Sequence, residues 1–151
     1  MPVAEGPQTF PEASAVPRDD RAEIDQVIAR FFRAFDNRNR RVPALEELTR
    51  LFVPGAIVVR DSGAQCEHYS VAQFAAPRLR LLTSGELSDF HEWETESSTE
   101  VTGRIAARAS RYRKQGTLAA RPYRGGGQKF FHLARLAGGW QISAVAWSDD
   151  P

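Results

Sequence analysis

Between Asp20 and Phe35 the apolar residues Ile24, Val27, Ile28, Phe31, Phe32 and Phe35 recur every third or fourth position, which places them on one stripe of a helix. Asp20 reads as its N-cap, with Glu23 three residues on as in a capping box. The run NRNRR, an Asn among clustered cations, suits the helix C-terminus. Burying such side chains stabilises by about 1.5–3 kcal/mol each before chain entropy is subtracted, so this helix is expected on the core. Pro43 suits the first turn of a short second helix, PALEELTRLF, with Leu45, Leu48, Leu51 and Phe52 turned inward. VPGAIVVRD follows as a strand of β-branched residues, bounded by Pro-Gly and by the loop DSGAQCEH. Ser70 and Gln73 then form a capping box, with Tyr69 and Phe74 at hydrophobic-staple positions, so a third helix starts at Ser70. Pro77 is expected to kink or restart it, and Gly85 closes it after Thr83.

After Gly85 the period falls to two. LSDFHEWETESSTEV, RIAARASRYRKQG, QKFFHLARL and WQISAVAW read as strands separated by TG, by TLAARPYRGGG and by AGG. Connections this tight require an antiparallel meander. Three helices from the N-terminal half, packed on one face of a curved antiparallel sheet, make an α+β fold.

At 151 residues and 42% hydrophobic content, the chain fits one domain, and a domain this size buries roughly 70% of its unfolded surface. The domain is expected over residues 18–151. The first 17 residues carry four prolines and little to bury, and are expected as a disordered tail. That segment has no apolar core of a signal peptide, and no apolar run of about 18 residues could span a bilayer. With a single cysteine, Cys66, no internal disulfide is possible and the thiol reads as a bland small residue. A cytoplasmic protein is expected.

Net charge is +1, but it is unevenly spread. Residues 81–100 hold six acids and no Lys or Arg, while residues 101–148 hold nine Lys and Arg and no acid. Such blocks mean either a nucleic-acid face or neighbouring strands that neutralise one another.

The element order, the first amphipathic helix, LFVPGAIVV and the closing hairpin FFHLARLAGGWQISAVAW resemble the nuclear transport factor 2-like superfamily over residues 20–149. This cone-shaped α+β fold includes ketosteroid isomerase, scytalone dehydratase and the SnoaL-like polyketide cyclases. FHEWETESSTEVTGRIAARASRYRKQG with WQISAVAWSDD looks like a bacterial subfamily of it without an assigned function. The resemblance implies a conical pocket and, through the outer sheet face, a homodimer. Ketosteroid isomerase-like members pair a pocket tyrosine with carboxylic acids, and scytalone dehydratase-like members use paired histidines and tyrosines.

The densest chemistry lies in FHEWETE, residues 90–96. Taking TG at 102–103 as a two-residue turn puts Trp93 opposite Tyr112, Thr95 opposite Ser110 and Ser97 opposite Arg108. The other face pairs Glu94 with Arg111 and Glu92 with Arg113, an ion-pair ladder that would account for the charge blocks. A slip of one residue exchanges the faces and sends the glutamates into the pocket. On the first register, Trp93, Thr95, Arg108 and Ser110 form the ligand-binding wall, unless the two aromatics are simply core. A buried Arg108 must meet either a protein carboxylate or a ligand anion. His91 or His132 is the candidate general base and Tyr112 the proton donor, with Glu92 or Glu94 the alternative base. His68, His91 and His132 lack metal-ligand spacing, and neither a metal nor a cofactor is expected. RGGGQK precedes a strand and not a helix, so it reads as a flexible hairpin loop and not a phosphate loop. In the last strand Val145 and Trp147 are assigned to the outer face, as the dimer surface.

These readings converge on a pocket for a small, mostly apolar ligand with an anionic or carbonyl group. They are compatible with proton-transfer chemistry of the isomerase, dehydratase or cyclase kind. A non-catalytic association domain is the alternative, and a nucleic-acid binder the third.

Overall fold

A computed structural model describes residues 19–151; the tail expected over residues 1–17 lies outside them. Helix α1 (Asp20–Arg33) buries Ile24, Val27, Ile28, Phe31 and Phe32, the stripe its period predicts. Its cap is Asp19, not Asp20: the Asp19 carboxylate accepts from the Ala22 N–H at 3.0 Å. Asp20 instead accepts from the Trp140 indole at 2.9 Å and from Arg135 at 3.3 Å.

Just past α1, the buried Asn37 side chain donates to the Leu82 and Leu87 carbonyls at 2.9 and 2.7 Å and accepts from the Phe90 N–H at 2.8 Å. One amide therefore ties together three chain segments, which matters because a buried backbone group without a partner is costly. Helix α2 (Leu45–Leu51) buries its three leucines against α1. Strand β1 (Phe52–Asp61) follows and pairs with β2 (Cys66–Ser70), which takes up part of the expected DSGAQCEH loop. Cys66 is exposed at the start of β2. Helix α3 (Val71–Thr83) begins with the full Ser70/Gln73 capping box and runs through Pro77 without restarting.

Strands β3 (Leu87–Thr102), β4 (Ile105–Leu118), β5 (Arg121–Leu136) and β6 (Gly139–Asp149) form the predicted meander. The full order is β2-β1-β6-β5-β4-β3, antiparallel except where β1 runs parallel to β6. The expected TLAARPYRGGG loop shrinks to a two-residue turn, Ala119–Ala120, and RGGG lies inside β5.

Two of the sheet's β-bulges, one in β3 and one in β6, decide which side chains face inward around the site. The β3–β4 turn is Gly103–Arg104, one residue later than expected, and it pairs Thr99 with Arg108 and Ser97 with Ser110. Thr95 is then the extra residue: Glu96 pairs with Arg111 but Glu94 with Tyr112, Trp93 with Arg113 and Glu92 with Lys114. Since side chains alternate, one extra residue exchanges faces from there on. The expected Trp93–Tyr112 pair and the Glu94–Arg111 and Glu92–Arg113 ladder are therefore not formed. In β6, Ser143 is the extra residue, because His132 pairs with Ala144 and Leu133 with Ile142. Trp140 and Ile142 face inward as the alternation suggests, and past the bulge so do Val145 (1% exposed) and Trp147 (7% exposed). The assignment of Val145 and Trp147 to the outer face is corrected accordingly.

Candidate functional site

The concave face and α3 enclose a cavity of about 320 Å³. Phe31 of α1, Phe35 just past its end, and Phe74, Pro77 and Leu81 of α3 supply its apolar walls. Its floor is polar, and registered rows of the sheet explain how. One row runs Glu94–Tyr112–Gly127–Asp149 across β3, β4, β5 and β6. Because position 127 has no side chain, the Tyr112 hydroxyl reaches across it and donates to the Asp149 carboxylate. A Cβ on Gly127 would sit 2.8 Å from that hydroxyl and 2.2 Å from the Ser148 carbonyl. The neighbouring row pairs Glu92 with Lys114 and Lys114 with Gly125, where a Cβ would meet the Lys114 Cε at 2.8 Å. Lys114 uses that space to reach Asp149 Oδ1 at 3.1 Å. The glycine run expected as a flexible loop is thus a strand segment cleared for two pocket side chains.

Lys129 completes the floor, between Ser110 on β4 and Trp147 on β6. Its side chain is 5% exposed, and its nearest carboxylate oxygen is Glu92 Oε2 at 3.8 Å. Its Nζ lies 4.0 Å from the centroid of the Tyr112 ring, 4.8 Å from Trp147 and 6.0 Å from Phe31. Among the described residues the ammonium has no hydrogen-bond partner, and ring faces, one loosely placed carboxylate and the open cavity surround it. Burial pushes the Lys129 amine below the usual lysine range, against the pull of Glu92. Burial and the bond to Asp149 both push the Tyr112 hydroxyl far up, so it stays a donor. Burial works against ionising Asp149, but Tyr112 and Lys114 outweigh it and hold that carboxyl below its usual value. Arg78 of α3 lies with its guanidinium carbon 4.0 Å over the Phe74 ring, and burial lowers its pKa. Counting Arg60 at the rim, four cations face two carboxylates, so the cavity favours an anion.

Beside this cavity lies a second, fully partnered cluster. Arg108, 5% exposed, holds Glu94 with two bonds, Nε to Oε2 at 3.1 Å and Nη2 to Oε1 at 2.6 Å. Its Nη1 donates to Asp25 of α1 and to Thr99 Oγ1, and Ser110 donates to Glu94. Of the two partners open to a buried Arg108, the one present is a protein carboxylate. Arg108 and Ser110, read as ligand-orienting residues, instead have Glu94 between them, and they pin β3 and β4 to α1.

Several of the other candidates share a second groove. Trp93 stacks on His91 at 4.4 Å on the edge strand, and Glu92, Glu94 and Arg108 line the same groove with Asp36 and Arg38. There His91 Nδ1 is buried without a partner, and burial lowers the imidazole pKa. Thr95 is the exposed bulge residue. His132 is exposed on the convex face, since Phe131 and Leu133 take the inward positions of β5. The expected base at His132 is therefore outside the cavity. Of the residues picked from sequence, Tyr112 and Glu92 meet on the concave face, with Glu94 alongside. Lys114, Lys129 and Asp149 were missed, although a signal existed: twenty residues are Lys or Arg, and only Lys114 and Lys129 are lysines. Lys129 also alternates with Phe131 and Leu133, which marks the inward face.

Solved structures carry the same architecture. A nuclear transport factor 2-like superfamily protein from Salmonella enterica superposes with a TM-score of 0.69 at 16% identity, covering 87% of this chain and 91% of that one. This chain has the nuclear transport factor 2-like fold. A nuclear transport factor 2-like protein with a cystatin-like fold from Novosphingobium aromaticivorans gives 0.66 at 18% identity, over 85% of this chain and 80% of that one. One from Cytophaga hutchinsonii gives 0.67 at 12%, over 88% and 100%. No family profile and no curated protein matches the chain. Likeness at these identities speaks to the fold, and the fold hosts many activities. The chemistry therefore rests on the side chains above. Among the described residues no helix is long and apolar enough to cross a membrane.

Proposed function

We propose that the protein binds a small, mostly apolar molecule bearing a carboxylate or carbonyl group in the concave cavity and transfers a proton on it, in the manner of an isomerase, dehydratase or cyclase. The observation that carries this reading is Lys129, a buried amine with no hydrogen-bond partner among the described residues, at the floor of an apolar cavity. Such a group is expensive to bury and is relieved by an oxygen-bearing ligand. In this reading Lys129 and Lys114 hold the ligand oxygen and Phe74 and Trp147 cover its apolar part. Glu92, 11% exposed beside Lys129, is the base; Tyr112, expected as the proton donor, is 2% exposed and gives its hydroxyl to Asp149, so it orders the carboxylate instead. The base role passes from His91 and His132 to Glu92 because only Glu92 lines this cavity.

The test is a tryptophan-fluorescence titration with aromatic and alicyclic carboxylates and ketones, 2-naphthoate among them, since Trp147 lines the cavity. Saturable quenching that Lys129→Met abolishes supports the reading. It fails if no compound perturbs the wild type, or if Lys129→Met binds as well.

A second reading, self-association through the convex face, is favoured by one observation. Phe130 and Ile57 are 57% and 54% exposed there, among Ala109, Ala146 and Val59. Phe130→Glu then yields monomers in sedimentation; an unchanged sedimentation coefficient counts against it.

A further inference from the structure

We propose that Lys129 is a carbonyl-reactive amine, which forms an imine with a small planar aldehyde or ketone seated in the concave cavity. The inference rests on the cavity being the ligand site and adds a covalent step to it. Three features carry it. First, a nucleophilic lysine must be able to lose its proton, and an arginine cannot. The chain uses arginine at eighteen of its twenty basic positions and keeps lysine for two, both lining this cavity. Second, the Lys129 amine is not held by any hydrogen bond among the described residues, so its lone pair is not committed elsewhere once the proton leaves. Lys114, by contrast, is engaged with Asp149 at 3.1 Å. Third, the surroundings suit the product. The rings of Tyr112, Trp147 and Phe31 around Nζ favour a cation, and a protonated imine keeps the charge of the ammonium it replaces.

The chemistry balances with the groups present. The Lys129 ammonium first gives a proton to water; the neutral nitrogen then adds to the carbonyl carbon as the C=O π bond opens, and the oxygen takes a proton back from water to give a carbinolamine. Glu92, with Oε2 at 3.8 Å from Nζ, accepts the proton lost from nitrogen and returns it to the leaving hydroxyl. Water departs as the C–O bond breaks and the C=N bond forms, and no oxidant or reductant is needed. The protonated imine withdraws electrons from the adjacent carbon, so the same Glu92 carboxylate can then take an α-proton to give an enamine. Imine formation thereby supplies the activation that proton transfer at carbon requires. Burial, which lowers the Lys129 pKa, raises the fraction of reactive amine at neutral pH.

The experiment treats the full-length chain with 2-naphthaldehyde and cyanoborohydride near neutral pH and maps the reduced adduct by mass spectrometry. With two lysines, the only amines in competition are Lys114 and the chain α-amine. The expected result is one adduct, at Lys129, formed faster than on Nα-acetyllysine, as an amine pKa lowered by burial implies. The rate should climb with pH to a midpoint below the ordinary lysine value of 10.5. Lys129→Arg should lose the adduct. Modification of Lys114 or the α-amine alone, or a Lys129 rate no faster than that of acetyllysine, overturns the proposal. If 2-naphthoate binds but no adduct forms, the imine falls and the ligand site stands; if neither occurs, both fall.

Discussion

Arg108→Met distinguishes a structural guanidinium from a ligand-gripping one. The residue is 5% exposed and shares a two-bond pair with Glu94, itself 20% exposed, while its second carboxylate partner Asp25 is 62% exposed. Removing one member of a buried pair costs about 3–5 kcal/mol, because the other charge stays behind. Glu94 keeps its Ser110 partner and some access to water, which places the cost near the low end. The exposed Asp25 contact adds at most about 1 kcal/mol. A loss of about 3 kcal/mol therefore follows, and for a chain of this size it lowers Tm by about 6–12 °C. Urea unfolding of wild type, Arg108→Met, Glu94→Gln and the double variant forms the assay. The double variant should lose less than the sum of the singles, by about 2 kcal/mol or more, because it leaves no uncompensated charge. The ligand affinity of Arg108→Met, measured where it is folded, should be unchanged. Additive single losses, or full stability together with weakened 2-naphthoate binding, would refute this and return Arg108 to the ligand.

Asn37→Ala should cost on the order of 3 kcal/mol, since it strips partners from the Leu82 and Leu87 carbonyls and the Phe90 N–H. Asn37→Asp should not rescue it, because a carboxylate cannot donate to two carbonyls; urea midpoints decide. Gly127→Ala should destabilise by about 1–3 kcal/mol, since the atoms nearest its Cβ include backbone of β6, and near-ultraviolet circular dichroism should report the displaced Tyr112. Ala119 and Ala120 adopt φ of 48° and 63°, so Ala119→Asn with Ala120→Gly should raise stability by about 1 kcal/mol in thermal melts. Asp149 has a folded pKa below its ordinary 3.8, so the stability it contributes is fully present above that value. It is lost as pH falls through the folded value. The gap in unfolding free energy between wild type and Asp149→Asn should therefore be flat near neutral pH and shrink below about pH 4; a gap that widens in acid contradicts the assignment.

How far the sequence reaches depends on whether the information is local. The period of α1, the capping box of α3 and the alternation of the four long strands are local, and each element lies where its pattern puts it. Strand β2 is a different case: CEHYS has no β-branched residue, and it becomes a strand only by pairing with β1. The side-chain faces were legible on β4, where Tyr112 and Lys114 are on the concave face; on β5 the alternation of Lys129, Phe131 and Leu133 puts His132 outward, against the expected base. The faces were illegible at the two flanking strands, because bulges at Thr95 and Ser143 shift the alternation by one residue. A bulge is decided by what the bent strand must cover, which no local window contains.

Those two bulges have one chemical consequence. The unbulged floor contributes a tyrosine and two lysines but no acid. Without the bulge in β3, Glu92 and Glu94 would point away from that face and His91 and Trp93 toward it. Without the one in β6, Trp147 and Asp149 would turn outward, and Tyr112 would lose its acceptor. The carboxylates that pair Lys114, stand beside Lys129 and hold Arg108 all reach the concave face from β6 or from β3 beyond its bulge, apart from Asp25 of α1. Deleting Thr95 or Ser143 should thus cost more ligand binding than a substitution at either position, since deletion moves a row of side chains and substitution moves one.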